Sequence, residues 1–254
     1  MKKILLISLL LLTKLVCAQI RTIHTYVALC DNLNQGIIPV PKQLGNGKDP
    51  KNNLYWGAQF GVKTFFKNSK KDWTYVKSIP STKPEVLDRI LFKHKSKKVF
   101  LLAEAYDGEK IKTCNEDFLK SCNQQEIISL TIDSTVLTFG GGADLLCYVG
   151  HDGLMDFSLN LNYSTTLPQK KRDVIILACY SKTYYRQELI KAKASPTLLT
   201  THLMAPEAYT LKAAIDGWIS KESKEAIKER AAHAYNDYQK CGLKGARNLF
   251  TTKL

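Results

Sequence analysis

Two short stretches of this chain end an apolar run on a side chain that can attack or move a proton. DVIILACYS, residues 173–181, is apolar without a break from Val174 to Ala178 and then presents Cys179; ADLLCYVGHDG, residues 143–153, ends the same way on His151. A thiol attacks as its thiolate, and an adjacent imidazole can take the thiol proton and later hand it to a leaving amine. A cysteine closing a strand is by itself most simply a small core hydrophobe, so the chemistry depends on the two being neighbours. Gly150 and Gly153 flank the histidine and allow close backbone approach. An amide there, together with the Cys179 N–H, would hold the oxyanion of an attacked carbonyl.

Both runs are too short to cross a bilayer, and β-branched enough at Val174, Ile175 and Ile176 to read as buried parallel strands. Neighbouring strands lie about 4.8 Å apart, so side chains leaving adjacent strand ends can meet at one substrate atom. The carboxyl edge of an open α/β sheet is also where ligands bind. Further strands are expected at 22–30, 73–79, 98–108 and 195–204. Helices are expected over 54–65, over 84–92 with Pro84 in its first turn, around Phe118, and in the tail after Ala205; STVLTFGGG reads as a hairpin arm. Alternating strands and helices predict an α/β fold: a doubly wound, mostly parallel six-stranded sheet with helices on both faces. FSLNLNYSTTLPQKK, residues 157–171, must carry the crossover between the His151 and Cys179 strands, which are far enough apart in sequence for one.

Residues 1–18 have Lys2 and Lys3, an apolar stretch from Ile4 to Leu12, and Val16-Cys17-Ala18 before Gln19. This reads as a secretory signal peptide, leaving one domain over 19–254, exported to the periplasm or the extracellular space, with no transmembrane segment. Loss of Lys2, Lys3 and Lys14 lowers the net charge from +14 to +11. The lysines are scattered and not interleaved with aromatic residues, so a nucleic-acid partner is not expected. Cys114 and Cys122 fall on one helical face about 12 Å apart, beyond disulfide reach, and are expected to be core thiols. GGG at 140–142 lacks the Lys-Ser or Lys-Thr of a phosphate loop, and no Gly-x-Ser-x-Gly elbow is present.

An apolar strand ending in His-Gly, followed by one ending in Ala-Cys, resembles the caspase-like cysteine peptidases, which include caspases, legumain, gingipains, clostripain and separase. YVGHDG is similar to the Tyr-x-Gly-His-Gly of the separase-like branch, with Asp152 standing where that pattern has glycine. The resemblance covers residues 22–240. It implies a cysteine endopeptidase with His151 as catalytic histidine, Cys179 as nucleophile and Gly153 as oxyanion glycine, acting on a peptide or protein substrate without cofactor or metal. Asp31, Asp107 and Asp152, with Glu104, fall at strand ends and lead to the expectation of a basic P1 residue. Two alternatives stand beside this reading: a catalytically silent binding module of the same fold, and a metal-dependent hydrolase built on His151, Asp152 and His202.

Overall fold

The computed structural model describes residues 19–164 and 171–254; the expected signal segment 1–18 lies outside them, as do residues 165–170 of the crossover. In chain order the elements are β1 (Arg21–Ala28), α1 (Val62–Asn68), β2 (Trp73–Ser78), β3 (Val86–His94), β4 (Val99–Tyr106), α2 (Ile111–Cys122), β5 (Ile127–Ile132), β6 (Thr135–Gly140), β7 (Leu145–Val149), β8 (Asp173–Leu177), α3 (Ser181–Lys191), β9 (Ser195–Thr200), α4 (Ala208–Ile219), α5 (Lys224–Gln239), α6 (Leu243–Leu249) and β10 (Phe250–Thr251). Eight strands form one mixed sheet in the order β10-β9-β8-β7-β1-β4-β3-β2. Its middle is parallel, β1 pairing with β4 and β7, then β7 with β8 and β8 with β9, whereas β2, β3 and β10 run antiparallel to their neighbours.

Alternation along the central strands divides the core between the two faces of the sheet. Ile23 and Val27 of β1, Cys147 and Val149 of β7, and Ile175 and Leu177 of β8 pack with α1, α4, α5 and α6. Tyr26 and Ala28, Leu146 and Tyr148, and Val174, Ile176 and Ala178 pack with α2 and α3. Helices therefore cover both faces, and the central strands are buried through, which explains why β7 and β8 read as continuous apolar runs. The β5–β6 hairpin covers Leu91, Phe100 and Leu102 with Ile132, Leu137 and Phe139.

Three expectations need correction. The sheet has eight strands, not six, because residues 84–92 are not a helix: β3 lies antiparallel between β2 and β4. Val86 and Ile90, or Leu87 and Leu91, are spaced for a helix, yet β3 buries Ile90, Leu91 and Phe92 in succession between the two sheet faces. The helix expected from Leu54 begins only at Val62, because the Asn53 carbonyl gathers the N–H groups of Trp56, Gly57 and Ala58 into a tight turn. The crossover is extended over 157–164, with Phe157, Leu159, Leu161 and Tyr163 half-buried against the α2–α3 face. The last strand, β10, has two residues and closes the sheet beside β9; at the opposite border β2 carries a bulge between Tyr75 and Lys77.

The cysteines at 30, 114, 122, 147, 179 and 241 are all free; the first four are buried, Cys179 is partly so and Cys241 is exposed. Cys114 and Cys122 sit on the buried face of α2, as their spacing predicts. Among the described residues no helix is long and apolar enough to cross a membrane.

Candidate active site

Strands β7 and β8 are parallel neighbours in which Val149 stands opposite Leu177. His151 and Cys179 each follow two residues later, so the histidine and the thiol leave the carboxyl edge of the sheet at the same level. Both line one cleft of about 310 Å3. Its other walls come from the loop after β1 (Ile37, Ile38, Val40, Leu54 and Tyr55) and the loop after β9 (Leu203 to Glu207). The cleft thus collects loops from the carboxyl ends of β1, β7, β8 and β9, the address at which open α/β sheets bind ligands. A larger hollow of about 610 Å3 lies along α4 and α5, but its charged groups pair with each other and it holds no nucleophile.

The local chain explains how each group is held. Gly150 has φ of +147°, and a Cβ there would stand 2.8 Å from the Ala28 carbonyl oxygen. Only glycine lets β7 turn sharply against β1 and deliver His151 to the edge. The His151 carbonyl then accepts a hydrogen bond from the Tyr148 hydroxyl (2.8 Å), which itself accepts from Asn115 of α2 (3.1 Å). Tyr185 of α3 donates to the same Asn115. Two helices therefore fix the backbone of the histidine through neutral, mutually satisfied polar groups.

After Cys179, Tyr180 adopts a left-handed conformation (φ 48°, ψ 30°) immediately before α3. That is a costly geometry for a non-glycine residue, and the surroundings hold it in place. Tyr180 N–H donates to the His202 carbonyl (3.1 Å), Ser181 N–H to Thr200 Oγ1 (3.0 Å), and Thr200 N–H to Ser181 Oγ (2.9 Å). The sharp turn projects Cys179 from the strand end into the cleft.

His151 Nε2 lies 2.6 Å from Asp156 Oδ2, and the imidazole is almost fully buried. A carboxylate accepts, so Nε2 carries the proton and Nδ1 is left as an acceptor. Asp156 also receives the Gly36 N–H at 3.4 Å, which ties it to the loop after β1. Asp156 escaped the sequence reading, although it is only five residues from the histidine.

Cys179 Sγ accepts from Met204 N–H (3.4 Å) and lies 3.7 Å from the Met204 carbonyl oxygen as a donor. Burial pushes this thiol above its ordinary range, and the charge of Asp152 adds to the effect, while the Met204 backbone works against it. At rest it keeps its proton. No family model, curated protein or solved structure matches this chain. What stands is an α/β protein with a mostly parallel mixed sheet, and the likeness to caspase-like peptidases rests on the motif residues alone.

The other expected site residues fall away from the cleft wall. Gly153 is buried and opens a short 3-10 turn, where a Cβ would meet the Phe157 ring at 2.6 Å. Asp31 is buried in its own turn, accepting from Leu33 N–H (2.9 Å) and Asn34 Nδ2 (2.8 Å). Asp107 caps a 3-10 turn through Glu109 N–H at 3.0 Å. Glu104 is buried in β4, facing His24 and Arg89. The acidic rim that led to the expectation of a basic P1 residue is therefore committed to turns, caps and the core, and the cleft holds instead Glu207, from the loop after β9. The metal-hydrolase alternative finds no ligand set: His202 is exposed and, among the described residues, no three His, Cys, Asp or Glu side chains cluster to hold an ion.

Asp152 has a different role from the expected one. It is fully buried, its Oδ1 accepts Leu154 N–H (3.0 Å), and its Oδ2 has no partner among the described residues. Burial raises its pKa to about 8, with the Leu154 hydrogen bond opposing and the Asp156 charge assisting. The ordinary aspartate value is about 4, so between those two limits the unfolded chain releases a proton that the folded chain keeps, and stability falls as pH rises through that window. Asp152→Asn retains the cap and cannot ionise. Urea unfolding should find it more stable than the parent by about 1–3 kcal/mol at pH 9, with the difference shrinking toward pH 4. Parallel stability curves for the two proteins would refute this.

Proposed function

We propose that the protein is a cysteine endopeptidase in which Cys179 attacks a peptide carbonyl and His151 moves the proton. The observation that carries this reading is the register of β7 and β8, which brings thiol and imidazole to one cleft with Asp156 bound to the Nε2 of the ring. Asp156 holds Nε2–H, so Nδ1 takes the thiol proton as Sγ bonds to the carbonyl carbon. The Cys179 N–H receives the oxyanion that forms. As the C–N bond breaks, the imidazolium gives that proton to the amine, leaving a thioester. Water adds to the thioester with His151 again as base, the acid leaves and the thiol is restored. The expected export would place this activity in the periplasm or outside the cell.

One observation favours a second reading, a silent binding module: the resting thiol is held by the Met204 backbone and is shifted away from ionisation. Iodoacetamide at neutral pH separates the two, with the exposed Cys241 as an internal reference. In the peptidase reading His151→Ala slows alkylation of Cys179 about tenfold or more while Cys241 is unchanged. Equal rates at Cys179 in parent and variant would favour the silent module.

A further inference from the structure

The side chain next to an attacked carbonyl hangs from the adjoining carbon, so it has to enter the cleft that contains the thiol. Among the described residues, the only carboxylate lining that cleft is Glu207, and no lysine or arginine lines it. The walls are Ile37, Ile38, Val40 and Leu54 on one side and Leu203, Met204 and Pro206 on the other. Its lips expose apolar side chains to an unusual degree: Ile38 is 84% exposed, Leu203 61% and Met155 38%. Large apolar side chains gathered in the open around a concave site mark a surface that an apolar partner covers.

Glu207 does not make this a pocket for a cation. Its Oε2 is taken by Tyr209 Oη (2.9 Å) and Gln239 Nε2 (3.2 Å), both neutral donors, and burial shifts the carboxyl toward its protonated form. A lysine or arginine head would be stripped of water against a carboxylate whose Oε2 is already taken, whereas an aliphatic or aromatic side chain gains from every wall.

We propose that the cleft selects peptides with a large apolar residue, such as leucine, methionine or phenylalanine, at P1, held between the loop carrying Ile38 and the loop carrying Leu203. The assignment of P1 rests on the peptidase reading; the apolar preference of the cleft does not. Two measurements keep them apart. The first uses hexapeptides differing only at the central residue (Leu, Phe, Lys, Arg or Asp), labelled with fluorescein, and measures their binding to Cys179→Ala by anisotropy. Leu and Phe peptides should bind at least about tenfold tighter than the Lys, Arg or Asp peptides. The second uses fluorogenic versions with the parent protein, where kcat/KM should follow the same order. Leu203→Asp and Ile38→Asp alter exposed positions that the fold tolerates, and each should lower binding of the Leu peptide by about fivefold or more. Tightest binding of the Lys or Arg peptide, no discrimination, or no binding to Cys179→Ala would overturn the inference. Apolar-selective binding without cleavage by the parent would uphold the pocket and sink the peptidase reading.

Discussion

Replacing Cys179 with alanine is expected to leave no hydrolysis above background on a substrate that the parent protein cleaves, and His151→Ala to lower kcat/KM by about 10^2–10^4-fold. The two losses have different origins. Without Sγ there is no atom to form the thioester, whereas without the imidazole the thiol survives but has lost the base proposed to take its proton. Asp156 stands one step further back. It binds Nε2 at 2.6 Å and so fixes which ring nitrogen is free, but it is partly exposed, and water can replace part of what it does. Asp156→Ala should therefore cost about 10–100-fold, with the alkaline limb of the pH profile intact. Stopped or steady-state assays of the three variants, with circular dichroism to verify folding, check the order. Hydrolysis that persists in Cys179→Ala would place the chemistry elsewhere.

The second large effect is on stability and comes from the middle of the sheet. Glu104 in β4 faces Arg89 of β3, whose Nε donates at 2.5 Å, and His24 of β1, whose Nε2 lies 3.1 Å away. His24 Nδ1 accepts the Gly140 N–H at 3.0 Å, which fixes the ring beside the carboxylate. Burial alone would raise the Glu104 pKa, but His24 and Arg89 overcome it and hold the value at about 2. An unfolded glutamate titrates near 4.3, so the group contributes its full stability above that value and loses it as pH falls toward 2. The shift amounts to about 3 kcal/mol. Removing the cation leaves a buried charge uncompensated, and Arg89→Leu should cost about 3–5 kcal/mol at pH 7. Replacing both residues by leucine should recover much of that, because the desolvation penalty disappears with the pair. Urea titrations at pH 7 and pH 3 measure all of these. A single variant as stable as the parent at pH 7 would show that the pair carries no such energy.

The central strands were legible because both faces of each are covered, so β7 and β8 appear as apolar runs, although the stretches 143–153 and 173–181 run four residues past their ends at Val149 and Leu177. The nearness of His151 and Cys179 was legible for the same reason: they stand where two such runs stop. β3 was not, since leucine and β-branched residues at 86–92 satisfy a helical spacing as well as a strand, and only pairing with β2 and β4 decides between them. Nor was the cleft. Ile37, Ile38 and Val40 lie in a segment full of Gly, Pro and Asn and read as loop, and their use as a wall depends on the loop after β9 lying opposite. The environment of the carboxylates was not legible, because position at a strand end says where a residue is in the sheet but not whether a turn or cap already takes one of its oxygens, as happens at Asp31, Asp107 and Asp152.

The borders of the sheet bear on how copies of this chain can meet. A sheet edge with free N–H and C=O groups is a template for another strand, and proteins blunt such edges with bulges, lysines or very short strands. Here both devices are in place: β2 bends at the Tyr75–Lys77 bulge with Lys77 on it, and β10 offers only Phe250 and Thr251 before pairing ends. Strand-to-strand growth from molecule to molecule is thereby disfavoured at either side, and association between copies is left to the helical faces and to the apolar lips of the cleft.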